Sequence, residues 1–355
     1  MGLVMYGLIY TLTIILIIDH RIIPSRLFPI FWLTVMIFLS LSIRWNLIQT
    51  GQVIGSGDMA GYVSNMKLDG VWLSYHYREP VYWFGTQYLY KIIGNPGLVF
   101  VVTDIILFLT FYKAVGLLRT FYPKPIRFEN LKYLYFGAFL VYPYLTGMHN
   151  HYRQILAVTI AMYAIGLAGK DLRKAYFLFI VSILIHNAAA VLFPIIMLAQ
   201  EKRYLLFNSI ALLVLSIMVI LFIPSDTFYE ITRRINEVGA RSGSDARTEI
   251  YLYLLLFSTF VIFIIEYGFK WKVRFNLLIQ LMGCMTAIYF VSLLAFSSQP
   301  AGRVFFMMLT MLYIFVGMYV DVKFKTGSLK KLVYFHLSLI PLLGLQGDGL
   351  VYEFF

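Results

Sequence analysis

Apolar runs long enough to cross a lipid bilayer recur from one end of this chain to the other, and no other feature restricts its fold as much. In hydrocarbon every backbone N–H and C=O must find a partner within its own segment, so such runs fold as helices. The candidate spans are residues 3–18, 27–43, 97–118, 131–148, 155–168, 205–223, 250–269, 275–296, 304–320 and 332–346. They predict an all-α, polytopic integral membrane protein of about ten spanning helices. The chain reads as a single transmembrane domain over residues 1–355, with long outer loops at 44–95 and 224–248. With 61% apolar and 13% charged residues and a mean hydropathy of +0.80, too little polar surface is left for soluble domains. The first run lacks a basic leader and is too long for a removable signal peptide. Cys284, the single cysteine, excludes an intramolecular disulfide and a cysteine-rich metal site. The formal charge of +12 raises nucleic acid as a partner, but in a membrane protein basic residues chiefly record orientation, and no nucleic-acid binding is expected.

One further apolar run, 175–200, decides that orientation. It carries His186, Asn187 and three alanines at its centre and Pro194 beyond. As one span it would place the basic residues 170–174 and 202–203 on opposite sides. As a hairpin of two half-length helices turning at His186 and Asn187, it places both on the same side. The segments 19–26, 113–132, 170–174, 201–203, 270–274 and 321–331 then all face the cytoplasm and hold 19 of the 29 Lys and Arg. Both termini and the hairpin tip point to the outer face, and a half-buried hairpin requires a surrounding protein cavity.

The ten cations left on the outer side are eight arginines (44, 78, 153, 233, 234, 241, 247 and 303) and two lysines. A guanidinium grips phosphate bidentately, so this bias reads as an anion-binding face. The alternative is that the arginines of the 224–248 loop, Arg241 among them, pair with Asp226, Glu230, Glu237, Asp245 and Glu249. The first outer loop ends in an aromatic amphipathic stretch, 81–94, expected to lie along the interface or to re-enter the outer leaflet.

Ionisable groups at membrane depth mark function by default. Arg153 and Gln154 open the helix after the polar knot His149-Asn-His-Tyr-Arg-Gln154, where a cation and a helix N-terminus both favour an anion; snorkelling of Arg153 to lipid phosphate is the plainer reading. His149 and His151 form only a two-imidazole pair, so no metal site is assigned. His186 suits hydrogen bonding to a phosphate or sugar hydroxyl, or proton transfer near neutral pH. Arg303 opens another helix on the outer side and suits a diphosphate clamp with Arg153. Asp58, beside glycines, and Glu79, before a proline, are the carboxylates placed for general-base work. A turn-stabilising Asp58 and a Glu79 paired with Arg78 are the alternatives.

The order of these features resembles the EpsG-like branch of the Wzy-type polysaccharide polymerases. The resemblance rests on Gly57-Asp58 with Tyr62, Arg78-Glu79-Pro80 before an aromatic helix, Tyr152-Arg153-Gln154 before a small-residue helix, and Ile185-His186-Asn187-Ala188-Ala189. It implies a GT-C-like membrane glycosyltransferase on the outer face of a bacterial inner membrane, acting on undecaprenyl-diphosphate-linked oligosaccharide as donor and acceptor. Membrane lipid and a chain-length regulator protein are the implied partners, with no nucleotide sugar, obligatory metal or other cofactor. Asp58, Glu79, Arg153, Gln154 and His186 match the family's polar positions, and His149 and His151 fall outside its pattern. A translocase of lipid-linked oligosaccharides and a ligase or acyltransferase of surface polysaccharide share the expected topology.

Overall fold

The computed structural model describes residues 2–53, 58–68, 76–121, 126–149, 151–199, 298–323 and 328–343, and all regular structure among them is helical. The 224–248 loop with Arg241, and the spans expected at 205–223, 250–269 and 275–296, lie outside the described residues.

Two helices, α1 (Gly2–Ile18) and α2 (Phe28–Thr50), open the chain. The second is 23 residues long, about 34 Å at 1.5 Å per residue, and ends where Gly51 turns into the left-handed region at φ 65°. A short helix, α3 (Asp58–Met66), and an amphipathic one, α4 (Pro80–Ile93), follow between α2 and the next long helix. The expected interfacial stretch 81–94 is thus a helix, with Tyr82, Trp83, Thr86 and Gln87 buried and Tyr88 and Ile92 exposed. After Gly94 the chain enters α5 (Pro96–Leu118), with Asn95 as N-cap accepting from the Leu98 N–H and Pro96 at the position where its missing N–H costs nothing. Both α2 and α5 are long and apolar enough to cross a membrane.

At the N-terminal end of α5 the two long helices meet backbone to side chain. Asn95 Nδ2 donates to the Ile48 carbonyl at 2.9 Å, and a methyl on Gly97 would lie 2.7 Å from Ile48 N and 2.9 Å from its Cα. Because that obstruction is backbone, the helices themselves must part. Gly97→Ala is therefore expected to cost about 1–3 kcal/mol, read as a lowered midpoint in detergent-phase unfolding.

One expected span is not continuous. Residues 131–148 read as a single helix, but the chain forms α6 (Phe128–Gly137), a 3-10 turn Ala138–Leu140, an extended residue at Val141 and a new helix, α7 (Tyr142–His149). Pro143 explains the break, because its ring removes the N–H that a continuous helix needs and it is tolerated in a first turn. Aromatic rings fill the space around the break: Trp32, Phe108, Phe111, Tyr135, Phe139 and Tyr144 contact one another, and Trp32 Nε1 donates to the Tyr135 carbonyl at 2.9 Å.

The next helix, α8 (Tyr152–Leu167), is apolar on every side and buried at every residue except Arg153 and Tyr163. Such a helix belongs at the centre of a bundle. Glycine lets it approach α5 closely, since a methyl on Gly166 would sit 2.7 Å from Leu117 Cβ.

The run after it does turn back. Helix α9 (Leu172–Ile185) stops at His186, whose backbone is extended at φ −152° and ψ 114°. A 3-10 turn, Asn187–Leu192, leads into the short α10 (Phe193–Leu198), with Pro194 in its first turn. The Phe179 and Phe193 rings stack at 5.9 Å, and a methyl on Gly169 would lie 3.6 Å from the Ala199 carbonyl oxygen, so the segment leaves and re-enters at one level. The hairpin begins at Leu172 rather than 175, and its return arm is 3-10 over its first half and α-helical over its second. Helices α11 (Ser298–Lys323) and α12 (Ser328–Leu343) complete the described chain.

Segments expected on one side gather at one end. Ser25 Oγ bonds Glu129, Lys132 Nζ donates to the carbonyls of His20 and Ile23, and Lys331 pairs with Asp321 at 2.7 Å. The polar motifs gather at the other end of α2, α5 and α8.

Candidate active site

Four separated stretches supply the site. Asp58 lies in the first turn of α3, with the Tyr62 hydroxyl one turn on at 3.5 Å from its carboxylate. Glu79 is the residue before Pro80, and the proline disfavours a helical conformation there, so Glu79 (φ −138°, ψ 57°) stands outside α4 as its N-cap. A carboxylate suits that end of a helix, but its oxygens do not cap the backbone.

Both oxygens are taken by other elements. Arg153 Nη1, from the first turn of α8, donates to Oε2, and His186 Nδ1, from the hairpin turn, bonds Oε1. A cation at a helix N-terminus is unfavourable on its own, and Glu79 offsets it. The guanidinium also lies over the rings of Trp83, at 4.9 Å, and Tyr62, at 5.3 Å. Burial is graded: the side chains of Glu79 and His186 are 6% and 4% exposed, but that of Arg153 is 23% exposed. The cluster therefore holds Glu79 and His186 inside and presents the edge of Arg153 outward.

Beside this lies a second, more open pair. His151, the N-cap of α8, places Nδ1 3.8 Å from Asp58 Oδ2, with side chains 38% and 56% exposed, and its ring packs edge-on against Phe306 at 5.0 Å. Gln154 is buried, and its Oε1 has no hydrogen-bond partner among the described residues.

The structure thus unites Asp58, Tyr62, Glu79, His151, Arg153 and His186 in one continuous set of contacts. Arg303 falls within α11, which starts five residues earlier at Ser298, rather than at its opening. Glu79 takes Arg153 and His186 as its partners. Arg44, expected among the outer-face cations, is instead 3% exposed inside α2 and paired with Asp104; α2 runs on to Thr50, about two turns past the point where hydropathy alone ends it.

Sequence reasoning did not single out Trp83, His76 or Asn65. Trp83 lies one helical turn beyond Glu79, a spacing that puts both on one face. His76 Nε2 bonds Asn65 Oδ1 at 3.1 Å and Gln87 Nε2 donates to the Asn65 carbonyl at 3.1 Å, tying α3 to α4. Burial pushes the His76 imidazole below its ordinary pKa, so it is neutral at pH 7 and its hydrogen-bonded nitrogen carries the proton.

The model of the EpsG family matches residues 29–345, most of the chain and all four of these stretches. The chain belongs to the EpsG family. As an EpsG-family member it carries a polysaccharide-polymerase-type membrane function. No curated protein matches it, and no solved structure does.

Proposed function

We propose that this EpsG-family protein lengthens polysaccharide by joining oligosaccharide repeat units carried on undecaprenyl diphosphate, at the outer face of a bacterial inner membrane. The observation that carries the reading is the convergence of residues 58–62, 76–83, 151–154 and 186 on one end of the bundle, with a half-exposed carboxylate beside a partly exposed arginine. An acceptor sugar hydroxyl attacks the anomeric carbon of the donor, the bond from that carbon to the diphosphate oxygen breaks, and lipid diphosphate departs with the electron pair. The acceptor's proton passes to a base.

Asp58 is the better base of the two carboxylates. It is open to a substrate, whereas Glu79 is enclosed and has both oxygens engaged. Arg153 stabilises the charge that develops on the leaving diphosphate, with Arg303 and Arg241 as further cations for the same group. Glu79 and His186 fix the Arg153 side chain, and Gln154, an acceptor from the same turn, suits a sugar hydroxyl.

The test is a purified system containing lipid-linked repeat units. Wild type yields a ladder of longer chains, and Arg153→Ala lowers that activity by about 10²–10³-fold while the protein stays folded. A ladder of wild-type length and rate from Arg153→Ala removes Arg153 from the site.

A translocase of lipid-linked oligosaccharide is the second reading, and the α6–α7 break supports it. Transporters use interrupted helices in pairs, and the described residues hold two, at Val141 and at His186. In the same system a translocase moves lipid-linked sugar across vesicles without lengthening it.

A further inference from the structure

Beneath the candidate site lies a charged pair that the proposed reaction does not use. Arg44 and Asp104 are 3% and 0% exposed, and their closest approach is 3.3 Å, from Nε to Oδ2. Ser40 Oγ donates to the same carboxylate oxygen at 2.6 Å. Two charges taken out of water at membrane depth are expensive, and an apolar pair of similar volume commonly does as well for stability. Their presence there calls for another role.

The contacts show what that role is. A different nitrogen of the same guanidinium, Nη2, donates to the Met148 carbonyl at 2.7 Å. Met148 is next to last in α7, so its carbonyl is one of those a helix end leaves without an internal partner, and a cation there is favourable. The guanidinium carbon also lies 4.9 Å from the Phe100 ring centre and 5.3 Å from that of Tyr152, the first residue of α8. Tyr152 in turn donates its hydroxyl to Thr103 Oγ1 at 2.7 Å, and its ring meets Phe100 edge-on at 5.1 Å. Arg44 therefore grips the last turn of α7 and the first turn of α8 together, from α2, while Asp104 and Ser40 hold Arg44 in place.

The junction of α7 and α8 lies between these two grips, an elbow at which His151 is the N-cap of α8 and Arg153 follows two residues on. Successive residues on a helix point about 100° apart, so fixing Tyr152 on the Arg44 side sets the direction in which Arg153 leaves toward Glu79. We propose that Arg44 and Asp104 are positioning residues, acting through Met148 and Tyr152 to set His151 and Arg153 in the candidate active site. The inference rests on the polymerase reading for its kinetic measurement only. Displacements near 1 Å in such a site cost on the order of 10²-fold in rate.

Two variants separate positioning from folding. Arg44→Met with Asp104→Leu removes both buried charges, so it keeps the bundle folded while leaving the Met148 carbonyl ungripped. Arg44→Lys keeps a cation beside Asp104 but has one nitrogen where two helices need two. Each is examined for amide hydrogen exchange across 148–153 and for chain lengthening on lipid-linked repeat units. The expected result is exchange at the elbow faster by tenfold or more, with kcat down by roughly ten- to a hundredfold and the KM for the donor changed by less than about threefold, since the groups that bind it are intact. Wild-type exchange and wild-type kcat in folded Arg44→Lys overturn the proposal, as does the same outcome in the double variant. If the elbow loosens as expected but wild-type protein lengthens no chains, the polymerase reading fails and the positioning role stands.

Discussion

Glu79→Ala is expected to remove about 3–5 kcal/mol of stability, and with it chain lengthening. The carboxylate is the only one that the described structure places against both Arg153 and His186, and it is nearly enclosed. Its removal leaves a guanidinium over Trp83 and Tyr62 and an imidazole at the hairpin turn without the charge that holds them. Breaking a buried pair from one side costs more than deleting both partners, because the remaining charge has no compensation. Arg153, being 23% exposed, recovers part of that cost by moving toward water, which places the loss at the lower end of the range. Paired replacement by Glu79→Gln and Arg153→Met should be milder than Glu79→Ala alone, and the coupling between the two sites should be about 0.5–3 kcal/mol in a double-mutant cycle. Unfolding midpoints in detergent measure both quantities. A Glu79→Ala protein as stable as wild type would show that the cluster does not hold the site together.

The way these groups meet explains which parts of the molecule were legible in the sequence. The hairpin at His186 was readable because charge bias acts on whole loops: the expectation that basic residues at 170–174 and 202–203 share one side calls for a turn between them, and within the described residues Gly169 and Ala199 lie together. Arg153 and Gln154 were readable as the start of a helix because an apolar run follows them directly, and α8 opens at Tyr152. The break at Val141 was carried by Pro143, a signal that hydropathy averages away over a long window. Partner choice was not readable at all. Arg44 pairs with a residue 60 positions away and Glu79 with one 74 away, so neither pairing exists below the level of helix packing. An arginine near the end of an apolar run looks like a loop cation until the helix carrying it is seen to continue to Thr50. His151 illustrates the converse. The sequence offered it as a site candidate without a role, one of two histidines too few for a metal site, and only the approach of α3 gave it Asp58 as a neighbour.

That neighbour sets the other large expectation. Asp58→Asn should lower chain lengthening by about 10²–10⁴-fold, the range over which a positioned base acts, while stability falls by no more than about 1 kcal/mol, the loss of a carboxylate from the first turn of α3. The separation of the two effects is what distinguishes Asp58 from Glu79. An asparagine keeps the side chain's size and its ability to face Tyr62, but it cannot take a proton from a sugar hydroxyl. His151→Gln, measured alongside it, should reduce activity less, because the imidazole is 3.8 Å from the carboxylate and tunes rather than replaces it. If Asp58→Asn lengthens chains at the wild-type rate, the proton must go elsewhere. His151 is then the nearest open group, and Glu79 would have to leave Arg153 and His186 before it could serve.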